Sequence, residues 1–217
     1  MATLQTRAVV SQPFGENTYI AYLDGRDDCV VIDPGLEPHL IFEFVEKHGL
    51  TPAAILNTHG HSDHIGGNAA MKDQWPDCPL VIGHGEADKL TDANKNLSAP
   101  FGMPMISPAA DDTVAEGDVR RWAGIDFEVF ETPGHSIGHV TFLCKANSPW
   151  TAFVGDVIFQ GGIGRTDFPD GNFQQLAASI RNKIYAWPDD TILLSGHGGP
   201  TTVGEEKQSN PFVREQG

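Results

Sequence analysis

Three histidines and one aspartate fall within six consecutive positions, His59-Gly60-His61-Ser62-Asp63-His64, just after a short apolar stretch at residues 53–56. Residues 53–56 have the length and composition of a buried strand. Ionisable side chains cannot follow such a strand into a core unless they are hydrogen-bonded, paired or coordinated, so the strand must end at an edge where they converge on something. Imidazole nitrogens and carboxylate oxygens both ligate zinc-like cations at about 2.0–2.2 Å. His59 and His61, two apart at the strand's end, project toward one point, whereas the adjacent Asp63 and His64 diverge and can serve a second. The cluster is therefore a candidate site for two ions side by side, with a polar loop of hydrogen-bonded histidines as the bland alternative.

Three later residues weigh against that alternative. His135 in Thr132-Pro133-Gly134-His135, Asp156 in Val154-Gly155-Asp156 and His197 in Ser195-Gly196-His197-Gly198 each stand where an expected strand ends. Loops at strand ends collect functional groups, and flanking glycines allow close backbone approach. Alone, His135 or His197 reads as an ordinary loop histidine; together with the first cluster they read as further ligands.

The rest of the chain supplies a frame. Residues 7–10, 17–23 and 29–32 read as strands separated by the turn chemistry of Pro13-Phe14-Gly15 and Asp24-Gly25, an antiparallel start. Leu40, Ile41, Phe44, Val45 and His48 recur at helical spacing, with Gly49 as C-cap. A helix is expected over 66–71, and residues 92–110 form a long loop rich in Asn, Ser, Pro and Gly. The second half repeats the plan, with strands at 125–130, 139–144 and 151–154. A helix at 173–185 follows, capped by Asn172 with Gln175 at the capping-box position and Phe173, Leu176, Ala177, Ile180 and Ile184 on one face; the last strand is 191–194. Strands followed by a helix in each half predict an α/β chain of two face-to-face sheets with helices outside, one domain over residues 1–217.

Composition narrows the function. Fourteen Lys and Arg against twenty-nine Asp and Glu give a formal charge of −15, which repels nucleic acid and anionic membranes. Cys29, Cys78 and Cys144 are odd in number and far apart, so a disulfide framework is not expected. Residues 1–11 lack the basic and apolar regions of a secretory leader. The expectation is a cytoplasmic protein acting on a small molecule, without nucleic-acid or membrane partners.

The order H-x-H-x-D-H, Pro-Gly-His, Gly-Asp, Gly-His resembles the metallo-β-lactamase superfamily along nearly the whole chain. Two narrower segments, Gly161-Gly162-Ile163-Gly164-Arg165-Thr166-Asp167-Phe168 and Gly196-His197-Gly198-Gly199-Pro200-Thr201-Thr202, with Asn210-Pro211-Phe212 after them, resemble the single-domain glyoxalase II-like hydrolases. The resemblance implies a four-layer αββα sandwich with metals at one edge. It also implies His59, His61 and His135 on one ion, Asp63, His64 and His197 on the other, and Asp156 between them. The cofactors implied are two divalent ions, zinc first, with iron or manganese as alternatives. β-Lactamases proper do not carry aspartate at the position of Asp156, which argues against antibiotic hydrolysis.

The activity implied is cleavage of an acyl thioester such as S-lactoylglutathione by water that the metals activate, with Asp63 orienting that water. Classical glyoxalase II adds a helical domain that contacts glutathione; here twenty residues follow His197, so no such domain is expected. Arg165 is the candidate grip for a substrate carboxylate, with a salt bridge to Asp167 as its alternative role. Phe101 and Met103 are candidates for an apolar lip, or else packing. His139 reads equally as a partner behind the ligands or a structural residue, and Asp33 as a fixture of the loop beneath the metals. The rival activity is that of the sulfur dioxygenases, which resemble the chain in Gly164-Arg165-Thr166-Asp167-Phe168 and hold one iron through the counterparts of His59, His135 and Asp156.

Overall fold

A computed structural model describes residues 2–12 and 14–214. Pro13, part of the expected first turn, lies outside the described residues. The first sheet runs in order β1 (Leu4–Ser11), β2 (Glu16–Leu23), β3 (Asp28–Ile32), β4 (Thr51–Asn57), β5 (Leu80–Gly83) and β6 (Asp112–Val114). β1, β2 and β3 are antiparallel and β3 to β6 parallel. The second sheet comprises β7 (Val119–Trp122), β8 (Ile125–Glu131), β9 (Val140–Cys144), β10 (Thr151–Gly155), β13 (Ile192–Ser195) and β14 (Thr201–Thr202), in spatial order β14-β13-β10-β9-β8-β7. A small hairpin, β11 (Ile158–Phe159) with β12 (Gly162–Ile163), sits between β10 and β13 in the chain.

Alternation along the strands creates three apolar layers. Val30, Ile32, Ala54 and Leu56 of the first sheet meet Phe127, Val129, Phe142 and Phe153 of the second. The opposite side chains of β3, Cys29 and Val31, pack with Ile41 and Val45 of helix α1 (Pro38–His48). On the far side Ala152 and Val154 of β10 pack with Leu176, Ala177 and Ile180 of α4 (Phe173–Asn182). Strands covered on both faces are largely apolar, and β9 and β10 are buried at every residue. The result is the expected helix, sheet, sheet, helix stack.

Several boundaries differ from those the sequence suggests. β5, β6, β7, β14 and a polar closing helix, α5 (Val203–Ser209), carry no readable periodicity, and the sequence does not predict them. In place of one helix over 66–71 there are two, α2 (Ser62–Ile65) and α3 (Asn68–Gln74), so Asp63 and His64 lie on a helical turn rather than a loop. α4 breaks at Lys183 and continues as a 3₁₀ turn, Ile184–Ala186. The Asn172 side chain accepts a hydrogen bond from the Gln175 N–H at 3.0 Å, as a cap should, but Phe173 is 40% exposed and not on the buried face. No helix among the described residues is long and apolar enough to cross a membrane.

Candidate metal centre

β3 and β4 are parallel neighbours in one sheet, as are β10 and β13 in the other. The loop leaving each of these four strands carries a residue of the candidate site: Asp33, His59, Asp156 and His197. Carboxyl ends of parallel strands are where ligand sites form in such sheets. Hydrogen bonds from Asn17 N to Gly196 O (2.7 Å) and from Val140 N to Thr58 O (2.8 Å) tie the two sheets together at this edge. Asp33 has a left-handed backbone, φ 51°, a region aspartate tolerates better than most residues. There its Oδ1 accepts from Thr58 N, its Oδ2 accepts from Thr58 Oγ1, both at 2.7 Å, and Oδ2 lies 3.1 Å from His64 Nδ1. Asp33 thus occupies the structural place beneath the site that its sequence context suggests.

The seven candidate ligands come together. His59, His61 and His135 form one group of donor atoms within 4.8 Å of one another; Asp63, His64 and His197 form a second; His59, His64 and Asp156 form a third that joins them. Asp156 Oδ1 lies 3.4 Å from His64 Nε2, and its Oδ2 lies 3.6 Å from His135 Nε2 and 3.5 Å from His197 Nε2. Its carboxylate therefore faces both halves. His59 Nε2, His61 Nε2, His64 Nε2 and Asp156 Oδ1 are buried with no hydrogen-bond partner. Buried polar atoms are rarely left so, and those of His59, His64 and Asp156 belong to residues of one donor group; with His61 Nδ1 3.0 Å from His135 Nε2 in the neighbouring group, the set fits a divalent cation pair.

The far nitrogens of His59, His64 and His135 are fixed. His59 Nδ1 meets Thr58 Oγ1 at 3.1 Å, and His135 Nδ1 meets the Arg165 carbonyl at 2.8 Å. Such contacts set ring orientation and leave the other nitrogen for a metal. His139 does not join the donor groups; it stacks on His59 with ring centroids 4.9 Å apart, and its Nδ1 lies 3.0 Å from Thr132 Oγ1. It packs behind the ligands.

Electrostatics divide the histidines. Burial, reinforced by the neighbouring histidines, pushes His59, His61 and His139 well below the usual imidazole range. For His64 burial works in the same direction, but Asp156 and Asp63 overcome it and hold the ring well above that range. His197 is likewise opposed by burial, yet hydrogen bonds to Asp156 and Asp63 raise it to about 10. Burial opposes ionisation of Asp156, while His64 and the hydrogen bond to His197 keep it well below the usual carboxylate range.

One cluster escaped the sequence. Glu86, fully buried in a 3₁₀ turn after β5, accepts from Gly60 N at 2.8 Å through Oε2, and through Oε1 from Ser136 Oγ at 2.5 Å and Gly138 N at 2.8 Å. It holds both the His59–His61 turn and the His135 loop. Lys89 Nζ lies 3.3 Å from Glu86 Oε2 and also bonds Ser136 and Asp170. No signal marked Glu86, because its partners lie 26, 50 and 52 residues away. Glycine is needed beside the ligands: a methyl group on Gly196 would overlap Asp156 Oδ1 and His64 Cε1, and one on Gly155 (φ 47°) would overlap Thr58 Oγ1.

A cleft of about 430 Å³ opens over the donors, lined by His61, Asp63, His135, Asp156 and His197 at its floor and by Phe101, Phe168 and Arg165 at its rim. Phe101 is 53% exposed, so it is a rim residue rather than core packing. Met103 is 50% exposed and does not line the cleft. Arg165 lines it, but its Nε and Nη2 each donate at 2.7 Å to the two oxygens of Asp167, the alternative role read from the sequence.

The stacked sheets and the edge cluster define a metal-site protein of the αββα type. Residues 12–197 match the metallo-beta-lactamase superfamily, and the chain belongs to that superfamily, whose members are generally hydrolases. It is 39% identical to hydroxyacylglutathione hydrolase GloC of Haemophilus influenzae over 193 residues, 88% of this chain and 89% of that one. It is 40% identical to the probable metallo-hydrolase YqgX of Bacillus subtilis over 202 residues, 93% of each chain. Among solved structures, the BLEG-1 B3 metallo-beta-lactamase superposes with a TM-score of 0.92 at 36% identity, covering 97% of this chain and all of that one.

Proposed function

We propose that the chain is a cytoplasmic, dinuclear metal-dependent hydrolase of acyl thioesters, with S-lactoylglutathione as the reference substrate. The observation that carries this reading is the convergence of unpartnered buried donors, with Asp156 facing both groups. His59, His61 and His135 would hold one ion, Asp63, His64 and His197 the other, with Asp156 shared; imidazole and carboxylate donors suit zinc. When bound, such a pair lowers the pKa of water toward neutrality and polarises a carbonyl.

The chain's own residues do the rest. Asp63 lines the cleft, its Oδ2 3.4 Å from His197 Nε2; in this reading it accepts a hydrogen bond from the attacking water and so orients the water's lone pair toward the carbonyl. Arg165 and Phe168 fence the rim and limit solvent entry. The carbonyl carbon gains a C–O bond and loses its C–S bond. The products are a carboxylate and a thiol, the latter leaving as thiolate with little help because ordinary thiol pKa values are about 8.5. No side-chain nucleophile is needed. Among the described residues Cys29, Cys78 and Cys144 are buried, do not line the cleft, and have their thiols raised by burial, which removes thiolate catalysis.

The relative named hydroxyacylglutathione hydrolase supports the thioester, and the charge of −15 supports a small molecule over nucleic acid. The test pairs metal analysis with a substrate panel. Two zinc ions per chain and release of thiol from S-lactoylglutathione are expected. One iron with thiol-dependent oxygen uptake would instead establish the dioxygenase reading, and cleavage of a β-lactam without thioester cleavage would redirect the assignment.

A further inference from the structure

The walls of the cleft differ in kind from its floor. Phe14, Leu97, Phe101, Phe159, Ile163 and Phe168 surround the opening above the donors. These side chains reach the site itself: Phe168 packs edge-on to His61 at 5.3 Å and lies 6.1 Å from His135, while Phe159 lies 6.0 Å from His197. Phe101 extends the same surface outward, 6.4 Å from Phe168. Leu97 enters it from a left-handed backbone, φ 68°, a conformation costly for leucine and held by neighbours that bond one another: Asn96 Oδ1 accepts from Ser98 N at 3.0 Å and from Ser98 Oγ at 2.6 Å.

Charge offers little to a substrate here. Apart from histidines, Arg165 is the one cationic side chain among the residues lining the cleft. Its Nε and Nη2 are engaged by Asp167, and its Cζ lies 4.2 Å from the centroid of the Phe168 ring. The pair is neutral as a unit and presents aromatic and guanidinium planes inward. Asp63 and Asp156 in the floor belong to the donor groups of the proposed ions, so on the walls the one cation a substrate carboxylate would meet, Arg165, is already paired with Asp167.

We infer that the cleft selects thioesters whose acyl group is uncharged and apolar, a chain of several carbons or an aryl ring, and that the carboxylates of glutathione are not what it grips. This rests on the thioesterase reading and narrows it. With the carbonyl over the donors, the acyl chain lies along Phe168 and Phe101, burying area that a lactoyl group does not have. Each added methylene in contact with these walls favours binding about fourfold.

The test uses the full chain loaded with zinc and a series of acetyl, butyryl, hexanoyl and octanoyl thioesters, each on N-acetylcysteamine and on glutathione. The expected result is a rise in kcat/KM of about fourfold per methylene, with less than threefold preference for the glutathione carrier. A flat series, or a tenfold preference for glutathione, overturns the inference. A matched series of uncleavable S-alkyl thioethers, followed by calorimetry on zinc-loaded and metal-free protein, reads the cleft without turnover. Dissociation constants should tighten with chain length, and Phe101→Ala and Phe168→Ala should weaken the octyl member about tenfold while sparing the ethyl one. Length-independent binding, or equal loss for both members, counts against the proposal. If no thioester is cleaved but the thioethers follow chain length, the thioesterase reading fails and the apolar cleft stands. If thioesters are cleaved with no dependence on length, the reverse holds.

Discussion

Substituting Asp156 by asparagine keeps the shape of the side chain and removes its charge, leaving His64 and His197 without the carboxylate each faces at about 3.5 Å. Asp156→Asn is expected to cut bound metal below one ion per chain and turnover at least a hundredfold; full occupancy with wild-type rate would remove Asp156 from the centre. Glu86 works at one remove, through Gly60 N, Gly138 N and Ser136 Oγ. Glutamine there accepts at one atom and donates at the other, so at least one of these bonds is lost. Partners behind metal ligands typically matter 10–100-fold in affinity, and Glu86→Gln is expected to weaken zinc retention against a chelator by about tenfold. An unchanged chelator curve would show that Glu86 only supports the fold. In metal-free protein the carboxylates facing His64 and His197 favour the protonated form of both rings. Metal uptake must displace those protons, so affinity falls as pH falls, and calorimetry in buffers of different ionisation enthalpy should show about two protons released. Buffer-independent heats would contradict this.

Elements show most clearly which parts of the molecule the sequence exposes. β3, β4, β9 and β10 are covered on both faces and read as continuous apolar runs. β7 alternates exposed and half-buried residues at a sheet edge, and β6 is three residues long; neither has enough pattern to separate it from a turn. α5 is invisible in the sequence because its residues, VGEEKQS, have one apolar anchor, Val203. The loop at residues 92–110 is legible as a loop but not as an ordered one. Its order comes from polar side chains bonding locally, with Ser98 Oγ accepting from Met105 N at 3.0 Å, and from Asn96 O accepting the Ser62 N–H at 3.0 Å. That last bond connects the rim loop to the start of α2. At the head of α4 the Asn172 cap serves the helix alone, while its backbone N–H reaches Gly134 O at 2.7 Å. Asn172→Ala removes only the cap, and a loss of about 1 kcal/mol in urea unfolding is expected with metal content unchanged; metal loss would tie the cap to the His135 loop.

Across the whole molecule, two sheets meet face to face and the ends of their parallel strands bring distant segments to one edge. The ligands could be named from the sequence because glycines and strand ends surround them, and their family resemblance covers most of the chain. The supports could not: Glu86 and Lys89 sit in a short turn with no periodicity and act across the interface between the halves. The role of Arg165 also depended on the fold, since nearness to Asp167 in sequence did not establish that Nε and Nη2 both bond its carboxylate. The most direct measurement is a titration of metal-free protein with zinc, counting ions bound while following thiol release from a thioester. Two ions per chain, with hydrolysis appearing as they bind, is the predicted result. Saturation at a single zinc ion, or saturation without hydrolysis of any thioester, would contradict it.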